Sequence, residues 1–149
     1  MQETSFTLEA TPVPASRPKV GRGFAYYPRA HTEYANWLKQ FLKTVPPFPT
    51  EGAVAVSIMF VMPNYKASSA VTYRADVDNL AKLPLDMMTK ATTGEGEEEQ
   101  HRFWKDDYLI VNLQAMKRFA REGEQPHTRV KVKAIDGDIQ DYIDEAFNK

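Results

Sequence analysis

The sequence predicts a small mixed α/β (α+β) fold, a four-stranded mixed sheet packed by helices within a single domain spanning residues 1–149. Three observations carry that prediction. The run Ala53-Val54-Ala55-Val56-Ser57-Ile58-Met59-Phe60-Val61 has the length and β-branched content of a buried strand. Two stretches, 32–43 and 78–90, repeat apolar residues at helical spacing. Shorter alternating segments fill in the order β-α-β-α-β-β-α, which suits helices laid against one sheet. A chain of 149 residues, 42% apolar and 11% aromatic, can bury one core of that size.

Element by element, residues 5–9 alternate apolar and polar and read as an opening strand. Residues 11–28 are rich in Pro, Gly and Arg and read as a loop. Thr32 is placed to cap a helix reaching about Lys43, with Ala35, Leu38 and Leu42 beside Trp37 and Phe41 as its apolar stripe. The prolines of 45–49 end it. A polar connector over 63–73 leads to the second helix, where Leu80, Leu83 and Met87 face inward and Pro84 should weaken the middle. Residues 92–102 form an acidic, glycine-containing loop, followed by a strand over 107–113 that extends towards Lys117. Residues 128–135 alternate cleanly as a half-exposed strand, and Asp138 caps a short terminal helix ending near Phe147.

Several chemistries are excluded at once. There is no cysteine, so disulfides, thiolate catalysis and Cys-based zinc sites are absent. His31, His101 and His127 are too scattered to build a histidine metal site, which leaves oxygen ligands. No apolar run approaches the ~20 residues that cross a bilayer, and the opening Met1-Gln2-Glu3-Thr4-Ser5 lacks a signal segment. An intracellular, cytoplasmic protein working on nucleoid DNA, without membrane association, is the corresponding expectation. The net charge of −1 conceals an uneven distribution. Residues 1–75 hold eight Lys/Arg against four Asp/Glu, and residues 76–149 hold eleven against sixteen, with acidic blocks at 95–99 and 136–145. Screening confines a distant charge to about 8–10 Å, so a local basic surface can still bind phosphate.

The chemistry is concentrated in Asp76-Val77-Asp78-Asn79-Leu80-Ala81-Lys82, with Asp86 one turn on, and in Trp104-Lys105-Asp106-Asp107. Extended backbone at 76–78 would direct both carboxylates the same way. Asp78, Lys82 and Asp86 recur at intervals of four and share a helix face. Carboxylates that converge repel one another unless a cation lies between them, and Mg²⁺, a hard ion preferring oxygen, suits that role, with Mn²⁺ as its alternative. Each piece alone has a plain structural explanation: a helix cap, an exposed charge ladder, a turn.

Together, in this order and spacing, they resemble the RusA-type Holliday-junction resolvases, a family represented among phages and prophages. The resemblance implies a homodimeric, Mg²⁺-dependent endodeoxyribonuclease that makes paired incisions in branched, four-way DNA during recombination and repair. It places the catalytic residues at Asp76, Asp78, Lys82 and Asp107. The metal ligands would be Asp76, Asp78 and Asp107, with Asp106 as a further candidate, and Asn79 and Asp86 would be supporting positions. The loop around Pro12–Pro28 is similar to the one after the first strand in related phage proteins. Arg17, Lys19, Arg22 and Arg29, with Arg74, are its candidate DNA contacts. Two features depart from the pattern: a longer segment between Asp86 and Asp106, carrying Gly94–Glu99, and a thin basic stretch over 64–75. Cleavage of flaps or forks, and junction binding without cleavage, stay open as alternatives at this level.

Overall fold

The structure, a computed structural model, describes residues 2–64, 75–93 and 100–148. Its elements are β1 (Glu3–Leu8), β2 (Lys19–Val20), β3 (Ala25–Tyr26), α1 (Arg29–Leu42), β4 (Val54–Met62), α2 (Val77–Lys90), β5 (Ile110–Phe119), β6 (His127–Ala134) and α3 (Ile139–Phe147). The predicted α+β fold is present, its mixed four-stranded sheet ordered β1-β6-β4-β5. β6 runs antiparallel to both β1 and β4, whereas β4 and β5 are parallel and joined through α2. Arg74 and Gly94–Glu99 lie outside the described residues.

β4 shows why the sheet has one dry face. Val54, Val56, Ile58, Phe60 and Met62 are all buried, as a period of two requires when helices cover one side. Leu8, Val130 and Val132 from the neighbouring strands join them, and Leu38 and Leu42 of α1 with Leu80, Leu83 and Met88 of α2 close the core from above. Phe103 and Trp104 are also fully buried, which anchors the approach to β5. Among the described residues, no helix is long and apolar enough to cross a membrane.

Several boundaries differ from expectation. The 11–28 loop contains a two-stranded hairpin, β2–β3. α1 begins a turn early, at Arg29, because Pro28, with its ring-fixed φ of −54°, already accepts from Thr32 N at 3.2 Å. Thr32 therefore lies inside the helix and caps nothing. α2 starts at Val77 with Asp76, not Asp78, at the cap position, and stays helical through a buried Pro84. Residues Asp107–Leu109 form a 3₁₀ turn, so β5 starts three residues later than predicted and runs on to Phe119. The pairing of β4 with β5 slips between Val54 and Ala55, leaving Val111 without a partner just after that turn. Asp138 does cap α3, accepting from Asp141 N at 3.0 Å.

The β5–β6 connection is held by a bidentate ion pair. Arg118 donates to both Glu124 oxygens, at 2.6 and 2.8 Å, and Arg121 N donates to the same carboxylate at 3.0 Å. The Arg118 hydrogen bonds, reinforced by the Arg121 amide, hold Glu124 down at about 2. A carboxyl depressed on folding contributes stability above its unfolded pKa, near 4.5, and loses it as pH falls towards 2. Glu124→Gln should accordingly lower the melting temperature at pH 6. The gap to the native chain should close progressively between pH 4.5 and 2, as thermal scans across that range would record.

Candidate active site

Two hydrogen bonds fix how α2 lies against β5. At the start of α2, Ala75 O accepts from Lys117 Nζ at 2.7 Å, near the end of β5. At its other end, Thr89 Oγ1 meets Asp107 Oδ1 at 2.5 Å, just ahead of β5. Helix and strand are therefore antiparallel, as a crossover between parallel strands demands.

Asp76 and Asp78 stand at the N-terminal end of α2, both exposed. Asp76 occupies the cap position yet makes no capping hydrogen bond with its side chain. A capping aspartate ordinarily accepts from an amide of the first turn, and this one does not. The positive end of the helix dipole eases the proximity of two carboxylates there. Lys82 and Asp86 follow on the exposed side, so Asp78, Lys82 and Asp86 form the predicted stripe at intervals of four, which Lys90 extends.

Asp107 is held differently. Trp104 Nε1 donates to Thr89 Oγ1 at 2.8 Å, and Thr89 lies within hydrogen-bond distance of both Asp107 and Leu85 O. The threonine hydroxyl has one proton, and the carboxylate is the stronger acceptor. A buried indole, a threonine and the aspartate thus form a chain that orients one Asp107 oxygen. Asp106 caps the same turn, accepting from Tyr108 N at 3.4 Å.

Within one chain the three aspartates lie apart. Eleven residues separate Asp78 from Thr89, about 16 Å along a helix axis. Among the described residues no cluster of three His, Asp or Glu is close enough to hold a metal. Asp76 and Asp78 occupy one end of the crossover and Asp107 the other. Spacing in the chain could not reveal this, because it does not say at which end of a helix a later residue returns.

The N-terminal arm is tied to this site. Ala15 N donates to Asn79 O at 2.9 Å, and Ser16 N donates to His31 Nδ1 at 3.0 Å. Asn79 thus holds the arm through its backbone. Desolvation holds His31 below its ordinary pKa, against the pull of Asp86, which keeps Nδ1 an acceptor. Tyr27 stacks on the same ring, with centroids 4.3 Å apart. A cleft of about 400 Å³ opens between α1 and α2 here, with His31, Lys82, Asp86 and Lys90 among its walls. Arg17, Lys19 and Arg22 on the arm are all exposed, whereas Arg29 pairs with Glu33 at 2.5 Å.

Lys117, Thr89 and His31 were not singled out by sequence. Lys117 had a readable signal: in the register of β5 it falls with Leu113, Ala115 and Phe119 opposite the buried residues of β4. A lysine on the apolar side of a strand needs a partner, and it finds the carbonyl that precedes Asp76. Thr89 and His31 carried no such mark.

Residues 9–133 match the family model described as Endodeoxyribonuclease RusA. No curated protein matches the chain.

Proposed function

The chain belongs to the RusA family of Holliday-junction-resolving endodeoxyribonucleases, metal-dependent enzymes acting on junction DNA, and from that premise we propose a Mg²⁺ site divided between two copies of the chain. The observation that carries the proposal is the separation of Asp76 and Asp78 from Asp107 along α2. A two-fold axis across that helix exchanges its ends, so that one chain's Asp107 faces the partner's Asp76 and Asp78, and the reverse. Two equivalent sites result, matching two symmetry-related strands of a four-way junction. β5, an edge strand whose Leu113 is 46% exposed on the face that carries α2, supports a self-complementary contact on this side.

The donor set suits the ion. All candidate ligands are carboxylates, two of them two residues apart, and the uncapped Asp76 side chain is available. A divalent ion so bound supplies electrophilic assistance to phosphodiester hydrolysis. Asp76 and Asp78 of one copy and Asp107 of the other would hold it, and Asp106 reinforces the turn that presents Asp107. Lys82, one turn from Asp78, stabilises negative charge on the phosphate. Asp86 lies one turn further on, where it can orient that lysine, and Lys117 steadies the backbone that enters Asp76. Arg17, Lys19, Arg22 and Arg74 contact the DNA backbone, and Arg29 does so on leaving Glu33.

A labelled mobile four-way junction tests this, incubated with Mg²⁺, with Mn²⁺ and with chelator, beside linear duplex and flap controls. Paired, metal-dependent cuts confined to the junction are expected. Preferential cutting of flaps would replace the substrate, and metal-independent cutting would remove the carboxylate site.

A further inference from the structure

The β2–β3 hairpin carries aromatic rings that the core does not use. Phe24 is 62% exposed and Tyr26 46%, on a two-stranded arm outside the main sheet. Their rings lie together, centroids 5.9 Å apart. Both fold over Gly21, where an added Cβ would meet Phe24 and Tyr26 at 3.3 Å, so the glycine keeps the ring pair closed against the turn. Gly21 N donates to Phe24 O at 2.7 Å, and Gly23 takes a φ of +80° that other residues rarely adopt. The turn is thus shaped to display rings that water surrounds.

Their neighbours are cations. Lys19 pairs across the hairpin with Tyr26, Arg22 sits in the turn, and Arg17 precedes β2. Exposed aromatic faces interleaved with Lys and Arg are the elements of a single-strand platform: the cations neutralise phosphates and the rings stack on bases whatever their identity. The base of the arm is fixed to the first turn of α2 through Asn79 O and to His31, which seats it beside Asp76, Asp78 and Lys82.

We propose that Phe24 and Tyr26 stack on unpaired bases at the branch point, so that the hairpin holds the junction open next to the scissile phosphate. This rests on the junction-nuclease reading but does not follow from it, since backbone contacts alone could hold an intact, fully stacked junction. It also assigns the arm a role in selecting substrates: a branch point yields unpaired bases at low cost, and a linear duplex does not.

The test uses the full chain in Ca²⁺, with 2-aminopurine placed next to the branch point of a four-way junction, and a mixed-sequence single-stranded oligonucleotide bound in parallel. Native protein should raise the fluorescence on the junction and leave an equivalent duplex unchanged. Phe24→Ala/Tyr26→Ala should abolish the rise and weaken single-strand binding by about five- to a hundredfold. Phe24→Trp should retain the rise and Phe24→Leu should lose it, which separates ring stacking from apolar packing. Circular dichroism confirms that each variant is folded. A junction bound in Ca²⁺ without fluorescence change, yet cut when Mg²⁺ replaces Ca²⁺, overturns the inference and leaves the nuclease reading intact. So does an alanine pair that behaves as native, or a leucine variant that does. No binding to either DNA overturns both.

Discussion

Asp76→Asn and Asp107→Asn should each lower junction cleavage by roughly a hundredfold to a thousandfold or more while leaving junction binding in place. Both side chains are exposed, so their amides disturb little of the core. The informative experiment is to mix them. If each site is shared between two chains, a dimer of one Asp76→Asn chain and one Asp107→Asn chain has one site with both lesions and one with neither. Random exchange of subunits makes half of all dimers mixed, so about a quarter of the sites are intact. Cleavage should return to about that fraction of native activity, and as single nicks more than paired cuts. Complementation is impossible if each site lies within one chain, because every site would then carry a lesion. Continued inactivity of the mixture, with subunit exchange verified by mass or by tagged pull-down, would sink the divided site.

This architecture also explains how far the sequence could be read. The core was legible because β4 alternates from Val54 to Phe60 before ending in a wholly buried stretch, and the helices repeat at 3.6, patterns that burial itself imposes. The candidate residues were legible because their chemistry is local: Asp76, Asp78 and Lys82 lie within seven positions, and Asp106–Asp107 follow two aromatic anchors. Their arrangement in space was not. It depends on the antiparallel return of α2 against β5, which is a property of the crossover and not of any one segment. The hairpin inside residues 11–28 is not legible for a different reason. Its strands are two residues long and its rings point to water, so it lacks the burial pattern by which strands are recognised.

Trp104→Ala should destabilise the protein by about 3–5 kcal/mol, the cost of emptying a large, fully buried aromatic site. Trp104 packs beside Phe103 in the core, with ring centroids 6.0 Å apart, and its backbone enters the turn that carries Asp106 and Asp107. Urea denaturation would show the loss as a lower midpoint with an unchanged slope. Trp104→Phe separates packing from positioning. Most of the volume remains, but the indole N–H that donates to Thr89 is gone, and Thr89 is then free to turn its hydroxyl towards Leu85 O and away from Asp107. The phenylalanine variant should keep most of its stability yet cut roughly ten- to a hundredfold more slowly, since a ligand displaced by about 1 Å costs rate on that scale. Thr89→Val, which removes the hydroxyl at nearly constant volume, should reproduce the kinetic defect, and the two substitutions combined should be no worse than either. Additive losses would mean that Trp104 and Thr89 act on the site separately, and the chain from indole to carboxylate would have to be abandoned.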